Sequence, residues 1–419
     1  MAERRRSARP HKEPRALFRR NSLRVNQPLP ATPELVIDED DPFDRLRLIS
    51  WWDQARLAKA RVMVIGAGAL GNEVLKNLAL LGIGHVVVID MDRIETSNLS
   101  RSVLFRRADA GQPKAEVAAR AMRELNPDLQ VTALVGDVTK CVGLGWYADA
   151  DVMIGCLDNR EARMWVNRCC WHVKKPWIDG GIQEVSGVVQ VFAPPDGTCY
   201  ECGMSALDYQ IAALRYSCPL LTRDDLQRGR IPTTPTISSI IAGWQVQEAV
   251  KLLHALPTAA GHALVFHGLS NNIYKTKLPR REDCLAHDEW PPAKLLGETP
   301  DRLTGESLLD QLPAGASIEL SRELVTGLSC QSCGLEQPLV RPAAAITQRE
   351  AICASCGQPM VPEFLHQLTR EHPVAKRSLA ELGVPAADIL CWRTAEAQGA
   401  VRLGGDTFPS TAIVPEANV

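Results

Sequence analysis

The chain has 419 residues, enough for one large domain or two to three ordinary ones. Lys plus Arg total 47 and Asp plus Glu total 49, so the net charge of −2 offers no overall field for a polyanion and argues against a dedicated nucleic-acid binder. A hydrophobic content of 45% excludes a mainly disordered chain, and aromatics at 5% leave the core to Ala, Val, Leu and Ile.

Residues 1–42 read as a disordered basic tail. Arg is frequent through the first 25 residues, and Asp38-Glu39-Asp40-Asp41 follows. From 43 to 287 the pattern is α/β. Apolar runs of strand length at 62–65, 86–89, 131–135 and 152–154 alternate with helical stretches at 70–81, 114–125 and 159–173. Short buried runs separated by helices predict a Rossmann-like, mostly parallel sheet with helices on both faces. A further β signal covers 185–193 and a helix is expected over 236–256. That helix is apolar but carries Gln245, Gln247, Glu248 and Lys251, so no membrane span is expected. Residues 288–327 read as a linker, and 328–419 as a small cysteine-containing module.

The run at 62–65 leads directly into Gly66-Ala67-Gly68-Ala69-Leu70-Gly71, a G-x-G-x-x-G between strand and helix. Such a turn lets phosphate approach backbone N–H groups at a positive helix end. Asp90 ends the next strand, where a carboxylate can accept from a ribose. This much fits NAD, FAD and ATP sites equally. Asp92, Asn98 and Arg101 then follow within Asp90–Arg101, and Lys114 comes after Gln112-Pro113. Cations aimed at a triphosphate suit nucleotidyl transfer, in which a carboxylate attacks the α-phosphorus of ATP and pyrophosphate leaves. Mg²⁺ is expected with oxygen ligands, and Asp158 has the place for it, at the carboxyl end of the fourth strand.

The motifs GAGALG, DMDRIETSNLSR, GQPK and CLDNREAR, in this order, resemble the ubiquitin-activating-like adenylyltransferases, which include the ThiF and MoeB type activators of sulfur-carrier proteins. The resemblance covers roughly 44–287. It implies ATP-dependent adenylation of the C-terminal glycine carboxylate of a ubiquitin-like or sulfur-carrier protein. It assigns Asp90 to the ribose, and Asp92 is a further candidate nucleotide-binding residue. Asn98, Arg101 and Lys114 take the phosphates, and Asp158 takes Mg²⁺ and the reacting carboxylate. Arg45 resembles an arginine that members of this family reach across a homodimer interface to ATP. Cys218 lies in the crossover region where the family can carry a nucleophile that takes the carrier as a thioester. Catalysis and an ordinary loop thiol both stay open for it.

Cysteines number thirteen, an odd count. With no signal-type apolar run near the N-terminus, a cytoplasmic, reducing location is expected, where paired cysteines suggest metal rather than disulfides. Cys199 and Cys202 form a C-x-x-C knuckle, and Cys284 with His287 form C-x-x-H. Together they supply a closed tetrahedral Zn²⁺ set. Cys330 and Cys333, then Cys353 and Cys356, form two C-x-x-C-G knuckles typical of a zinc ribbon. Both sites read as structural. Cys141, Cys156, Cys169, Cys170 and Cys391 read as small packing residues. The ribbon suggests a docking surface for the carrier, a conjugating enzyme or a sulfur donor. Adenylation of a carboxylate on a tRNA base by the same fold is the alternative reading. An NAD-dependent oxidoreductase or a catalytically silent adaptor stands further off.

Overall fold

Strand apolarity on both faces sets the first sheet. It begins with β1 (Arg61–Ile65), β2 (His85–Asp90), β3 (Gln130–Val135) and β4 (Val152–Gly155). In β1, Val62 and Val64 enter one core while Met63 and Ile65 enter another, so the sheet must be covered on both sides. The computed structural model, which describes residues 38–209, 232–347 and 349–408, supplies that cover. The basic tail before residue 38 lies outside the described residues.

The sheet continues with β5 (Trp177–Gln183), β6 (Ser186–Phe192), β7 (His262–His267) and β8 (Asn272–Lys277), in the order β3-β2-β1-β4-β5-β6-β7-β8. The β3-to-β5 half is parallel, and β5 to β8 pair antiparallel. The order reverses between β1 and β4, which opens a crevice at their carboxyl ends.

Two short N-terminal helices, α1 (Asp44–Arg47) and α2 (Gln54–Leu57), precede β1. One sheet face is covered by α3 (Ala69–Leu80) and α4 (Lys114–Leu125). The other is covered by α6 (Leu144–Asp149) and α7 (Arg160–His172), with the one-turn α5 (Val138–Cys141) beside them. Last comes α8 (Pro235–Leu253), which opens on a Thr234 N-cap and Pro235 and returns to the α3 face through Ile241 and Val246. Among the described residues, no helix is long and apolar enough to cross a membrane.

A second sheet follows. It contains β9 (Ala293–Leu295), β10 (Ser317–Ser329), β11 (Glu336–Pro342), β12 (Val361–Leu368), β13 (Ile389–Arg393) and β14 (Gln398–Arg402). Its order is β11-β10-β13-β14-β9, with β12 also on β10. This corrects the linker reading of 288–327. Those residues hold β9, the short helix α9 (Gly305–Leu309) and most of the central strand β10. Ile318, Leu320 and Leu324 of β10 are buried in the second core with Leu303 and Leu308.

The two sheets share a core. Trp290, Ile389, Cys391, Ala400 and Phe408 pack with Met63, Ile65 and Trp177 on the second face of the first sheet. Polar ties reinforce the contact. Leu144 N–H donates to Asp388 Oδ1 at 2.7 Å, and Arg322 donates to Asp388 Oδ2 at 2.9 Å and to the Val142 carbonyl at 2.7 Å. Arg402 grips both Asp149 oxygens at 2.7 and 2.6 Å. Burial pushes the Asp149 carboxyl up, but Arg402 and Thr407 outweigh it and hold the group below the usual range.

Every described cysteine is a free thiol. Cys169, Cys170 and Cys391 are buried as expected of packing residues, and Cys156 is half-buried. Cys141 differs. It is exposed on α5 and its Sγ donates to the Asp137 carbonyl at 3.1 Å, because a helix of one turn has too little apolar face to bury it.

Candidate active site

Gly66 leaves β1 with φ +99, and a Cβ on it would lie 2.4 Å from the Cys156 carbonyl oxygen. A Cβ on Gly71 would strike the Gly66 carbonyl at 1.9 Å, so only glycine lets α3 start this close to the turn. Gly68 is the contrast, because a Cβ there meets nothing within 4 Å. The turn is therefore closed underneath, against the start of the loop after β4, and open above. Asn72, fully buried on α3, donates to the Ala67 and Gly68 carbonyls at 2.7 and 3.0 Å and accepts from Leu104 N–H at 2.9 Å. It ties the turn to the segment that follows β2.

That segment carries the cations. Asp90, at the end of β2, accepts from Ala67 N–H and Asp92 N–H at 2.7 Å each. Burial pushes the Asp90 carboxyl up, and Lys114 with the two N–H donors pulls part of the way back. Lys114 opens α4, and its Nζ lies 3.0 Å from Asp92 Oδ2. Thr96–Arg101 forms a 3₁₀ turn capped by Glu95, with Asn98 Oδ1 accepting from Glu95 N–H at 3.0 Å. Arg101 ends that turn and donates to the Ser97 carbonyl at 3.0 Å.

Asp158 follows β4 in an exposed position, with the Asn159 side-chain amide 3.3 Å from Oδ1. Asn159 caps α7 by accepting from Ala162 N–H at 2.8 Å. Since β1, β2 and β4 run parallel, the glycine turn, Asp90 and Asp158 all lie at one edge of the sheet. Arg45 does not. It lies on α1, two residues after Phe43, whose ring packs over Gly82 beyond the end of α3. With about 1.5 Å of rise per residue, α3 is roughly 18 Å long, so the Phe43 ring and α1 lie toward the amino ends of the strands, opposite the turn. Cys218 lies outside the described residues.

Side chains that sequence reasoning passed over also shape the loop after β4. Arg163 donates to the Leu157 carbonyl at 2.6 Å, the Gly180 carbonyl at 3.1 Å and Asp179 Oδ1 at 3.0 Å. From the other face, Gln245 donates to the Gly155 carbonyl at 2.8 Å. A buried-position Gln in an apolar helix was the visible signal for Gln245. Arg163 closes the motif CLDNREAR, but its role was not assigned, since an Arg on a helix otherwise reads as a solvated face. Burial pushes the Cys156 thiol well up, so it stays protonated under the turn.

Two thiol clusters lie away from this edge. In the first, Cys199 Sγ is 3.7 Å from Cys202 Sγ and 3.6 Å from Cys284 Sγ, and Cys202 Sγ is 3.3 Å from His287 Nε2. Trp171 stacks on the His287 ring at 4.2 Å. Glu201, inside the knuckle and fully buried, takes Arg168 at 2.9 and 2.8 Å. In the second, Cys330 and Cys356 sulfurs are 3.4 Å apart, and Cys333 and Cys353 sulfurs 3.6 Å. Its knuckles are alike. Gly334 and Gly357 sit at φ +73 and +72, and each N–H donates back to the first Cys carbonyl at 2.9 Å. Donation from the backbone N–H groups of Cys333 and Ser332 pulls the Cys330 thiol down to about 6. Within each cluster the candidate ligand atoms lie within 4.8 Å of one another, a grouping that could hold a metal ion.

Comparison with known proteins identifies the family. Residues 43–286 match the ThiF family. The chain is 31% identical over 236 residues to the sulfur carrier protein ThiS adenylyltransferase of Escherichia coli, covering 55% of this chain and 87% of that protein. It is 40% identical over 177 residues to human ubiquitin-like modifier-activating enzyme 7, but that match takes in 39% of this chain and spans only 18% of that much longer protein. Among solved structures, the Microcin C7 biosynthetic enzyme MccB in complex with N-formylated MccA shares the fold, with a TM-score of 0.50, 23% identity, and coverage of 60% of this chain and 76% of that one. The chain belongs to the ThiF family.

Proposed function

We propose that this chain adenylates the C-terminal glycine carboxylate of a ubiquitin-like or sulfur-carrier protein at the expense of ATP. The observation that carries this reading is the shared sheet edge. An open glycine turn, the Asp92–Lys114 pair and the exposed Asp158 carboxylate lie at the same end of the sheet, the carboxyl ends of β1, β2 and β4. Asp90 takes the ribose, and Asn98, Arg101 and Lys114 take the phosphates. Asp158 would hold Mg²⁺ through a carboxylate oxygen, and the ion would supply charge neutralisation at the phosphates. The carrier carboxylate attacks the α-phosphorus, the bond to the bridging oxygen breaks, and pyrophosphate leaves.

Arg45 lies exposed on α1, away from the glycine turn, and its part is to serve a second copy in a homodimer. Leu48 and Trp51, 51% and 41% exposed beside it, give that interface apolar surface. Cys218 is retained as the candidate thioester nucleophile. Residues 43–287 form the adenylating unit, and the ribbon of the second sheet offers a rigid surface to a conjugating enzyme or sulfur donor.

Both thiol clusters suit zinc. A zinc ion 2.3 Å from each sulfur sets neighbouring sulfurs about 3.8 Å apart, close to the spacings found here. Cys199, Cys202, Cys284 and His287 would hold one ion, and Cys330, Cys333, Cys353 and Cys356 the other. Each set fills four positions, so the metal is structural. Free thiols in such clusters suit a reducing cytoplasm. Carrier-dependent exchange of labelled pyrophosphate into ATP tests the proposal, and its absence with every glycine-ended carrier from the same source would refute it.

A further inference from the structure

The loop that presents Asp158 is gripped from both faces of the sheet. Gln245 of α8 holds the Gly155 carbonyl at 2.8 Å and reaches the Ile178 carbonyl at 3.3 Å. Arg163 of α7 holds the Leu157 and Gly180 carbonyls, at 2.6 and 3.1 Å, and pairs with Asp179 at 3.0 Å. The pair is nearly closed to solvent, with side-chain exposures of 14% for Arg163 and 4% for Asp179. A buried ion pair is a poor way to stabilise a fold, because desolvation offsets most of the attraction. An apolar pair would fill the same space at less cost. The guanidinium does what no apolar group can, since its fork spans two carbonyls and a carboxylate at once.

One of those carbonyls belongs to Leu157, immediately before Asp158. We infer that Arg163 is a positioning residue: by fixing the Leu157 peptide against β5, it aims the exposed Asp158 carboxylate at the reacting phosphate. The inference rests on the adenylation reading above. Asn159 contributes from the other side: with its oxygen capping α7, its amide nitrogen lies 3.3 Å from Asp158 Oδ1, while Arg163 fixes the backbone just before Asp158. Nucleotide binding is a separate matter, since the glycine turn is held by Asn72 and Asp90. Losing Arg163 should therefore slow the chemistry without loosening ATP.

Arg163→Lys keeps a cation beside Asp179 but cannot span both carbonyls. The double substitution Arg163→Gln with Asp179→Asn removes the buried charges together and guards against simple misfolding. Wild type and both variants are compared in carrier-dependent pyrophosphate exchange, ATP titration calorimetry and thermal melting. Both variants are expected to lose about 100-fold in kcat, the scale of a 1 Å misplacement. ATP affinity should stay within about threefold, and the Mg²⁺ needed for half-maximal exchange should rise, because the ligand aimed at it has moved. Unchanged kcat and Mg²⁺ dependence would overturn the inference. So would a parallel fall in kcat, ATP affinity and melting temperature, which marks a merely structural role. Absence of exchange in the wild type would instead overturn the adenylation reading, and this inference with it.

Discussion

Ala67 N–H donates to Asp90 Oδ2 at 2.7 Å, across the carboxyl ends of β1 and β2. Oδ1 of the same carboxylate accepts from Asp92 N–H at 2.7 Å. Asp90 thus shapes both the glycine turn and the segment that leads to the cations, whatever else it binds. Asp90→Ala should weaken ATP binding by about 2–3 kcal/mol, since charged hydrogen bonds are worth roughly 1.5–3 kcal/mol each. Titration calorimetry measures this directly. An unchanged Kd would show that the turn holds its form without the carboxylate.

Metal content separates the two thiol clusters. The purified chain should carry two zinc ions, one per cluster. Cys284→Ser should reduce this to about one, because a structural tetrahedral site needs its full set of ligands. Cys353→Ser should do the same at the ribbon and also expose the 330–356 segment to protease, since so small a module relies on metal for folding. Elemental analysis with limited proteolysis reads both outcomes.

His85 gives a signed pH dependence. Burial, with Arg61 nearby, lowers its pKa to about 4. The ring is 4% exposed, pairs with Thr132 Oγ1 at 2.9 Å and meets the Phe408 ring edge-on at 4.9 Å. Unfolded, a histidine titrates near 6.5, so the unfolded chain binds the extra proton first. Its contribution is complete above about pH 6.5 and falls as pH drops toward about 4. Melting temperature measured across this window should fall less steeply in His85→Gln than in wild type. Equal slopes would show that another group carries the acid sensitivity.

Arg45 and Asp158 lie at opposite sheet edges, which makes a mixing test decisive. In the proposed homodimer, the Arg45→Ala and Asp158→Ala variants should each be nearly inactive. After exchange of subunits, half of the dimers are mixed and one site in each is intact. Exchange activity should then recover to about a quarter of wild type, as two-fold symmetry requires. No recovery despite proven subunit mixing would remove Arg45 from the partner's site.

The parallel half of the first sheet was legible because each strand is a short apolar run bounded by glycine or a charged residue, as in 62–65 before Gly66. The thiol clusters were legible because ligand spacing is local. The second sheet was not. The β10 segment SIELSRELVTGLS mixes charge with apolar residues, and it is a strand because it pairs with β11, β12 and β13, up to about 75 residues away. Its register shifts between Glu319 and Leu324, which breaks the alternation a reader would look for. The roles of Arg163, Gln245 and Asn72 were hidden for a related reason. Their partners are backbone carbonyls and N–H groups, and which of those need a side chain depends on where strands end in space.

The central claim is carrier-dependent adenylation at the edge that holds Lys114 and Asp158. Pyrophosphate exchange into ATP, measured with a glycine-ended carrier and Mg²⁺, tests it most directly. The wild type should exchange only when the carrier is present, and Asp158→Ala should abolish exchange while both zinc ions remain bound. Exchange that persists in Asp158→Ala, or that ignores the carrier, would contradict the account.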